Sequence, residues 1–297
     1  MLLFSAGLMA QDELKNFGRD SFAVIKIDLK SALDMMPKEA LDKMMQESIQ
    51  KMGFDFTERV DYIVVGLGSS VLAGDESSVV AVFSGNLSID DLLNAASKEG
   101  KSIQKKNVAG LTAYYDPEDK GTHKVLVSNF APNLFVFAGE EGLKEFQSVR
   151  AGQTPNALAN SQLVSAYNDT RPNALFRMAG VFPEEMKSQM AGQMPQMADI
   201  QNMAMSVTDV GNQIDLNLAF GSENEASLNQ IMATISQMMP MFTSMDQSGL
   251  LQEISDNMTM NVEGGKLKMA TSLAKASLEK FFEQFKDQFG GMDYEDK

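Results

Sequence analysis

Apolar and polar positions in this chain keep two periods, and the clearest run of both lies between residues 60 and 98. VDYIVVGL (60–67) and SSVVAVFSG (77–85) are strand-like runs, and SIDDLLNAASK (88–98) then falls into the three-and-four spacing of an amphipathic helix opened by Ser88 and Asp91. The plan returns near Ile200. Met203, Met205 and Val207 alternate with Asn202, Ala204, Ser206 and Thr208; beyond a Gly211-Asn212 turn, Ile214, Leu216, Leu218 and Phe220 alternate with Asp215, Asn217 and Ala219. That is the two-residue period of strands with one buried face. A helix is then predicted to open at Ser222, reciprocally capped by Glu225, with Leu228, Ile231, Met232, Ile235, Met238 and Met239 along one stripe.

The remaining segments extend the comparison. SFAVIKIDL (21–29) predicts a first strand, and residues 31–52 a helix interrupted at Pro37, with Leu33, Met36, Ala40, Leu41, Met44, Met45 and Ile49 on its apolar stripe. LTAYY, HKVLVSNF and NLFVFAG predict three short strands of a meander, and 140–149 a helix burying Leu143, Phe146 and Val149. Residues 150–160 are small, polar and broken by Pro155, which marks a joint; SQLVSAYND is a helix, and NALFRMAG opens a second series. A helix after Pro183, a hairpin of NMTMNV with KLKMATSL around Glu263-Gly264-Gly265, and a last helix through Leu278, Phe281, Phe282, Phe285 and Phe289 complete it.

The expected architecture is therefore α+β: two related halves, 11–159 and 160–289, each an antiparallel sheet with helices packed mainly on one face and the opposite face wet. Residues 290–297 form an acidic tail.

Residues 134–180 carry a family likeness. LFVFAG, the helix EEGLKEFQSV, the small-residue linker into SQLVSAYND and the strand RPNALFRMAG together resemble the junction between repeats in an uncharacterised family of exported bacterial proteins with repeated α+β units. The likeness implies location and a repeated fold, and no activity.

Lys and Arg number 25 against 40 Asp and Glu, a formal charge of -15. Such a surface repels phosphate backbones and disfavours nucleic-acid partners. Residues 1–10 are uncharged, apolar and small; they read as the remnant of an export signal, with Leu8 and Ala10 at the recognition positions and cleavage before Gln11. No later stretch has the roughly 18 uninterrupted apolar residues of a transmembrane segment. Cysteine is absent, so no disulfide framework is available. A periplasmic or extracellular protein is expected.

Little chemistry is on offer. His123 is the only histidine, which removes two-histidine metal sites. Gly66-Leu67-Gly68-Ser69-Ser70 follows a strand but precedes another strand, where a phosphate loop needs a helix. Asp90 with Asp91, Glu140 with Glu141 and Glu184 with Glu185 all lie in first helical turns, where they complement the helix dipole. Asp116, Glu118 and Asp119 lack calcium-loop spacing. The sequence thus predicts no enzyme and no cofactor.

Methionine is abundant, at 23 residues. Met186, Met190, Met194 and Met197 share a predicted helix side, and with Tyr167 and Arg171 at the joint they are the expected surface for a protein partner or an apolar ligand. Met238, Met239, Met241 and Met245 could alternatively supply thioethers to copper(I). The sequence-based expectation is an exported, non-enzymatic binding or structural protein, with copper(I) binding in the cell envelope as the alternative.

Overall fold

A computed structural model describes residues 12–34, 41–42, 45–46, 49–50, 54–74, 78–118, 125–192, 195–246, 248–278 and 280. The predicted leader, most of the predicted helix 31–52, His123, the last helix from Phe281 onward and the acidic tail fall outside these residues.

Among the described residues the strands are β1 (Ser21–Asp28), β2 (Val60–Gly68), β3 (Val79–Gly85), β4 (Gln104–Val108), β5 (Leu111–Tyr115), β6 (Leu126–Ala131), β7 (Leu134–Ala138), β8 (Phe176–Val181), β9 (Asn202–Val210), β10 (Gln213–Gly221), β11 (Thr259–Glu263) and β12 (Lys266–Ala274). The helices that matter below are α1 (Ile89–Lys98), α2 (Glu140–Arg150), α3 (Ser161–Asp169), α4 (Glu184–Ala191), α5 (Glu225–Met245) and α6 (Leu250–Asn257). Helix and antiparallel sheet are both present, as the α+β expectation requires.

All twelve strands join one sheet, in the order β11-β12-β10-β9-β8-β1-β2-β3-β7-β6-β5-β4. Its seam is the antiparallel pair of β1 with β8, in register from Ala23 opposite Gly180 to Ile27 opposite Phe176. Outward from that seam one side runs β2, β3, β7, β6 and the other β9, β10, β12, β11; the β4–β5 hairpin extends the first side.

Helices lie on both faces, which corrects the expectation of one covered face. α2, α3 and a 3-10 turn at Asp12–Asn16 roof the face that carries Val24, Val64, Val82, Val136 and Ala179. On the other face Val60, Leu87 and Phe135 cluster with Leu29, Ile89 and Leu92, while Leu228 and Ile231 of α5 and Met186 of α4 gather with Leu267 of the sheet. The reason is visible in β7: Phe135 and Val136 are neighbours in a strand, so they point to opposite faces, and both are fully buried. Central strands apolar on both sides require cover on both sides.

The polar face expected to be wet is divided. Along β10, β12 and β11 it stays open as a groove of about 280 Å³ lined by Asn217, Thr259, Asn261 and Lys268. Nearer the seam α3 lies over it, and Arg177, Asn202 and Ser206 are buried there.

Local signals held unevenly. Ser88 accepts from the Asp91 amide and the Asp91 carboxylate returns the bond, the predicted reciprocal cap. The second helix is capped by Asn224 instead of Ser222; the Asn224 side chain accepts from Ala226 and Ser227, while the Ser222 hydroxyl donates to the Asp199 carbonyl. Asn caps as well as Ser, and the Ser222 oxygen is spent accepting from the Asn224 amide, one residue ahead of the helix.

Glu145 of α2 presses on the N-terminal segment: a Cβ added at Gly18 would fall 1.9 Å from its Oε1. Burial first, and the nearby Asp20 carboxylate second, push its pKa up. A carboxyl whose pKa is higher folded than unfolded penalises the fold once ionised; the penalty is absent below its ordinary value and complete above the raised one. Glu145→Gln is expected to raise the unfolding midpoint at pH 7 and to leave it unchanged near pH 4, as a thermal melt series across that range reads directly.

Candidate functional site

Two places gather the residues singled out by sequence. The first is the underside of α3. Asn160 caps this helix by accepting from the Leu163 amide, and Leu163, Ala166 and Tyr167 form its buried stripe. Tyr167 is fully buried, and its hydroxyl donates to Glu13 Oε2 at 2.9 Å; Lys26 holds the other Glu13 oxygen at 2.7 Å. The Arg177 guanidinium, buried within β8, stacks 4.1 Å from the Tyr167 ring centroid, and its Nε donates to Thr170 Oγ1 at 2.8 Å. Thr170 Oγ1 in turn donates to the Tyr167 carbonyl at 2.7 Å.

Burial, with the Glu13 charge next in size, pushes the Tyr167 phenol well above its ordinary pKa. It therefore stays protonated and serves as a donor, with no capacity to act as a base near neutrality. Arg171, a few residues on, is exposed and bridges Asp215 Oδ2 at 2.7 Å and Asn217 Oδ1 at 3.2 Å. Bonds from Ser272 and Arg171 hold the Asp215 carboxyl below its usual range, against a smaller effect of burial that raises it. Asp169 is paired with Lys266 and Asp209 with Lys275, both at 2.6 Å. The carboxylates around α3 are thus committed to cations, and the arrangement clamps the N-terminal segment, α3 and β8 to one another. Ser206 Oγ, Thr208 Oγ1 and Asn217 Nδ2 lie buried beside it without a hydrogen-bond partner in the protein.

The sequence expectation put Tyr167 and Arg171 on a partner or ligand surface. Full burial makes Tyr167 core instead, Arg171 is exposed but engaged by Asp215 and Asn217, and Arg177 and Glu13 were not singled out. Arg177 had one signal: a lone cation inside the otherwise apolar strand ALFRMAG, where an interior charge needs a partner.

The second place is the methionine set, on the opposite face. Met186 and Met197 pack half-buried against the cluster of Phe182, Ile200 and Leu228, so they serve as core. Met194 and the side chains of Met190 and Met245 fall outside the described residues. Among the described residues, Met186 and Met197 are not brought together with Tyr167 and Arg171.

α5 divides at Pro240. Before it, Leu228 and Ile231 are buried, and Met232 and Ile235 pack on the same cluster. Pro240 has no N–H to donate to the preceding turn, which loosens the helix there. Around and past it, Met238, Met241 and Phe242 are 39%, 53% and 42% exposed, and Met239 is half-buried. The paired acids in first helical turns act locally: Asp91 completes its cap, Glu140 meets Lys106 and Lys144, and Glu184 meets Lys187. Among the described residues no group of three or more His, Cys, Asp or Glu is placed to hold a metal ion, and no helix is long and apolar enough to cross a membrane.

No family model and no curated protein matches the chain. Solved structures do. Crystal form III of TP0453 superposes with a TM-score of 0.52 at 12% identity, over 91% of this chain and 97% of that one. Crystal form IV gives 0.52 and 12%, over 91% and 95%. At this identity the likeness is one of fold.

Proposed function

We propose that this chain is an exported, non-enzymatic binding protein that receives an apolar ligand, or the apolar face of a partner protein, on the distal turns of α5. The observation that carries the reading is the trio Met238, Met241 and Phe242. Three large apolar side chains stand open within two helical turns of a protein with a formal charge of -15. Isolated exposed apolar residues are ordinary, whereas adjacent ones on a helix already anchored by its other end form an adaptable contact surface. The committed carboxylates around α3 support a non-enzymatic role, and the uncharged leader 1–10 supports export.

The same reading takes the chain as two copies of one module. Strand order outward from the β1–β8 seam begins alike on both sides: two strands in chain order, then a final hairpin entered from its second strand. In this view α5 and α6 occupy the place that α1 holds in the first copy.

The test is titration with Nile red, an uncharged dye that brightens in apolar surroundings. Replacing Met238, Met241 and Phe242 together by Gln is expected to weaken dye binding about tenfold or more, since full burial of such side chains is worth about 1.5–3 kcal/mol each. The variant should keep its unfolding midpoint. Equal affinity in both proteins refutes the assignment. The copper(I) alternative rests on Met238 and Met241, two exposed thioethers a turn apart. Stoichiometric copper(I) uptake that disappears in the same variant would favour it.

A further inference from the structure

The sheet has two outer edges, built differently. β4 carries Lys105 and Lys106, with Lys106 tied to Glu140 and lying over the Tyr115 ring. Lysines on an edge strand discourage another strand from adding to it. On the opposite edge, β12 extends beyond the reach of β11, and there α6 covers it. The Ala274 N–H donates to the Glu253 carboxylate at 2.6 Å, Asn257 Nδ2 donates to the Ser272 carbonyl at 3.0 Å, and Thr271 Oγ1 donates to the Ile254 carbonyl at 3.3 Å.

β11 has none of these devices. It pairs with β12 over five residues, Thr259 with Ala270 through Glu263 with Lys266, without a bulge. It holds no lysine and no proline. Among the described residues its backbone has no hydrogen-bond partner on the side away from β12. Thr259, Asn261 and Glu263 are exposed on one face, and Met260 and Val262 are half-buried on the other. Its single charge is met by Lys268, 3.5 Å from Glu263. A strand with open backbone groups and little net charge is a template for another strand.

We propose that β11 is the docking edge for a second copy of this chain, paired antiparallel about Asn261. The sequence TMNVE is complementary to itself in that register. Thr259 faces Glu263 of the partner subunit, Met260 faces the partner's Val262, and Asn261 faces the partner's Asn261. Apolar meets apolar on one face, polar meets polar on the other, and no like charges oppose each other. The contact is two-fold symmetric and closed, so association stops at a dimer whose sheet continues through both copies. A five-residue strand makes a small interface, of the weak and reversible class.

Sedimentation equilibrium of the full chain from about 5 to about 500 µM should pass from the monomer mass of 32.5 kDa to twice that value. Asn261→Lys puts two ammonium groups opposite each other on the symmetry axis and imitates the guarded β4 edge; it is expected to remain monomeric with an unchanged unfolding midpoint. Hydrogen exchange of the unsubstituted protein supplies an independent reading: the amides of residues 259–263 should slow as concentration rises through the transition. A single monomeric mass throughout overturns the proposal. So does a dimer whose formation leaves exchange at 259–263 untouched, because that dimer forms elsewhere.

Discussion

Tyr167→Ala is expected to destabilise the protein by about 4 kcal/mol, the range for removing a large aromatic side chain from a closed core. The ring is fully buried, sits under the Arg177 guanidinium and carries the hydroxyl bonded to Glu13. Its loss leaves a cavity, uncovers one face of a buried cation and removes a donor from a carboxylate. Tyr167→Phe separates these effects: it keeps the ring and loses the hydroxyl, at a cost of about 1.5–3 kcal/mol for a bond to a charged acceptor. Urea unfolding of the two variants, with an unchanged dependence on denaturant, measures both losses. In native-state exchange the amides around residues 12–18 should quicken in both, because Glu13 anchors that turn through Tyr167. A loss under about 1 kcal/mol for the alanine variant would mean that the clamp under α3 is not holding the fold.

That clamp also shows where sequence reasoning stopped. The hairpins 202–221 and 259–274 were legible because alternation fixes which residues share a face and a turn such as Glu263-Gly264-Gly265 fixes register. The reciprocal cap at Ser88 was legible because it needs only four consecutive residues. The joining of all strands in one sheet was not: periodicity says nothing about which strand lies beside which. β1 and β8, separated by about half the chain, pair because each has an open edge and apolar residues on both faces, a fact of three dimensions. Cover on both faces was missed for a related reason, since a continuous apolar run such as LFVFA does not announce its period.

The candidate site was legible in part. Tyr167 and Arg171 were singled out as a partner or ligand surface at the joint; instead Tyr167 is fully buried and bonded to Glu13, and Arg171, just past α3, is engaged by Asp215 of β10. Their partners lie 154 and 44 residues away, a separation no local pattern encodes. The methionines divided by burial. Met186 and Met197 fill core, whereas Met238 and Met241 stand exposed on the distal turns of α5. Sequence pattern reports residue type and period and not what covers a side chain, so only tertiary packing separates the two sets.

Gly85→Ala should cost about 3 kcal/mol, at the upper end for forcing extra volume into a packed site. The added Cβ would lie 2.0 Å from the Arg59 carbonyl oxygen and 2.7 Å from Val60 Cα, so the obstruction is backbone, which cannot turn aside as a side chain would. The crowding follows from the strand pairing: Val60 opposes Gly85 beside a register shift before Tyr62, and the Gly85 N–H is held by the Asn133 carbonyl at 3.0 Å. Three chain segments close on one position. Gly180 in β8 is the matched control, because the nearest atoms to its Cβ would be Phe22 O at 3.5 Å and Ala23 Cβ at 3.7 Å, ordinary contacts. There the same substitution only restricts the unfolded chain, and Gly180→Ala should stabilise by about 0.4–1 kcal/mol. Denaturant midpoints that move in opposite directions follow from this geometry. Midpoints that move together would show that close approach at Gly85 is not what requires glycine there.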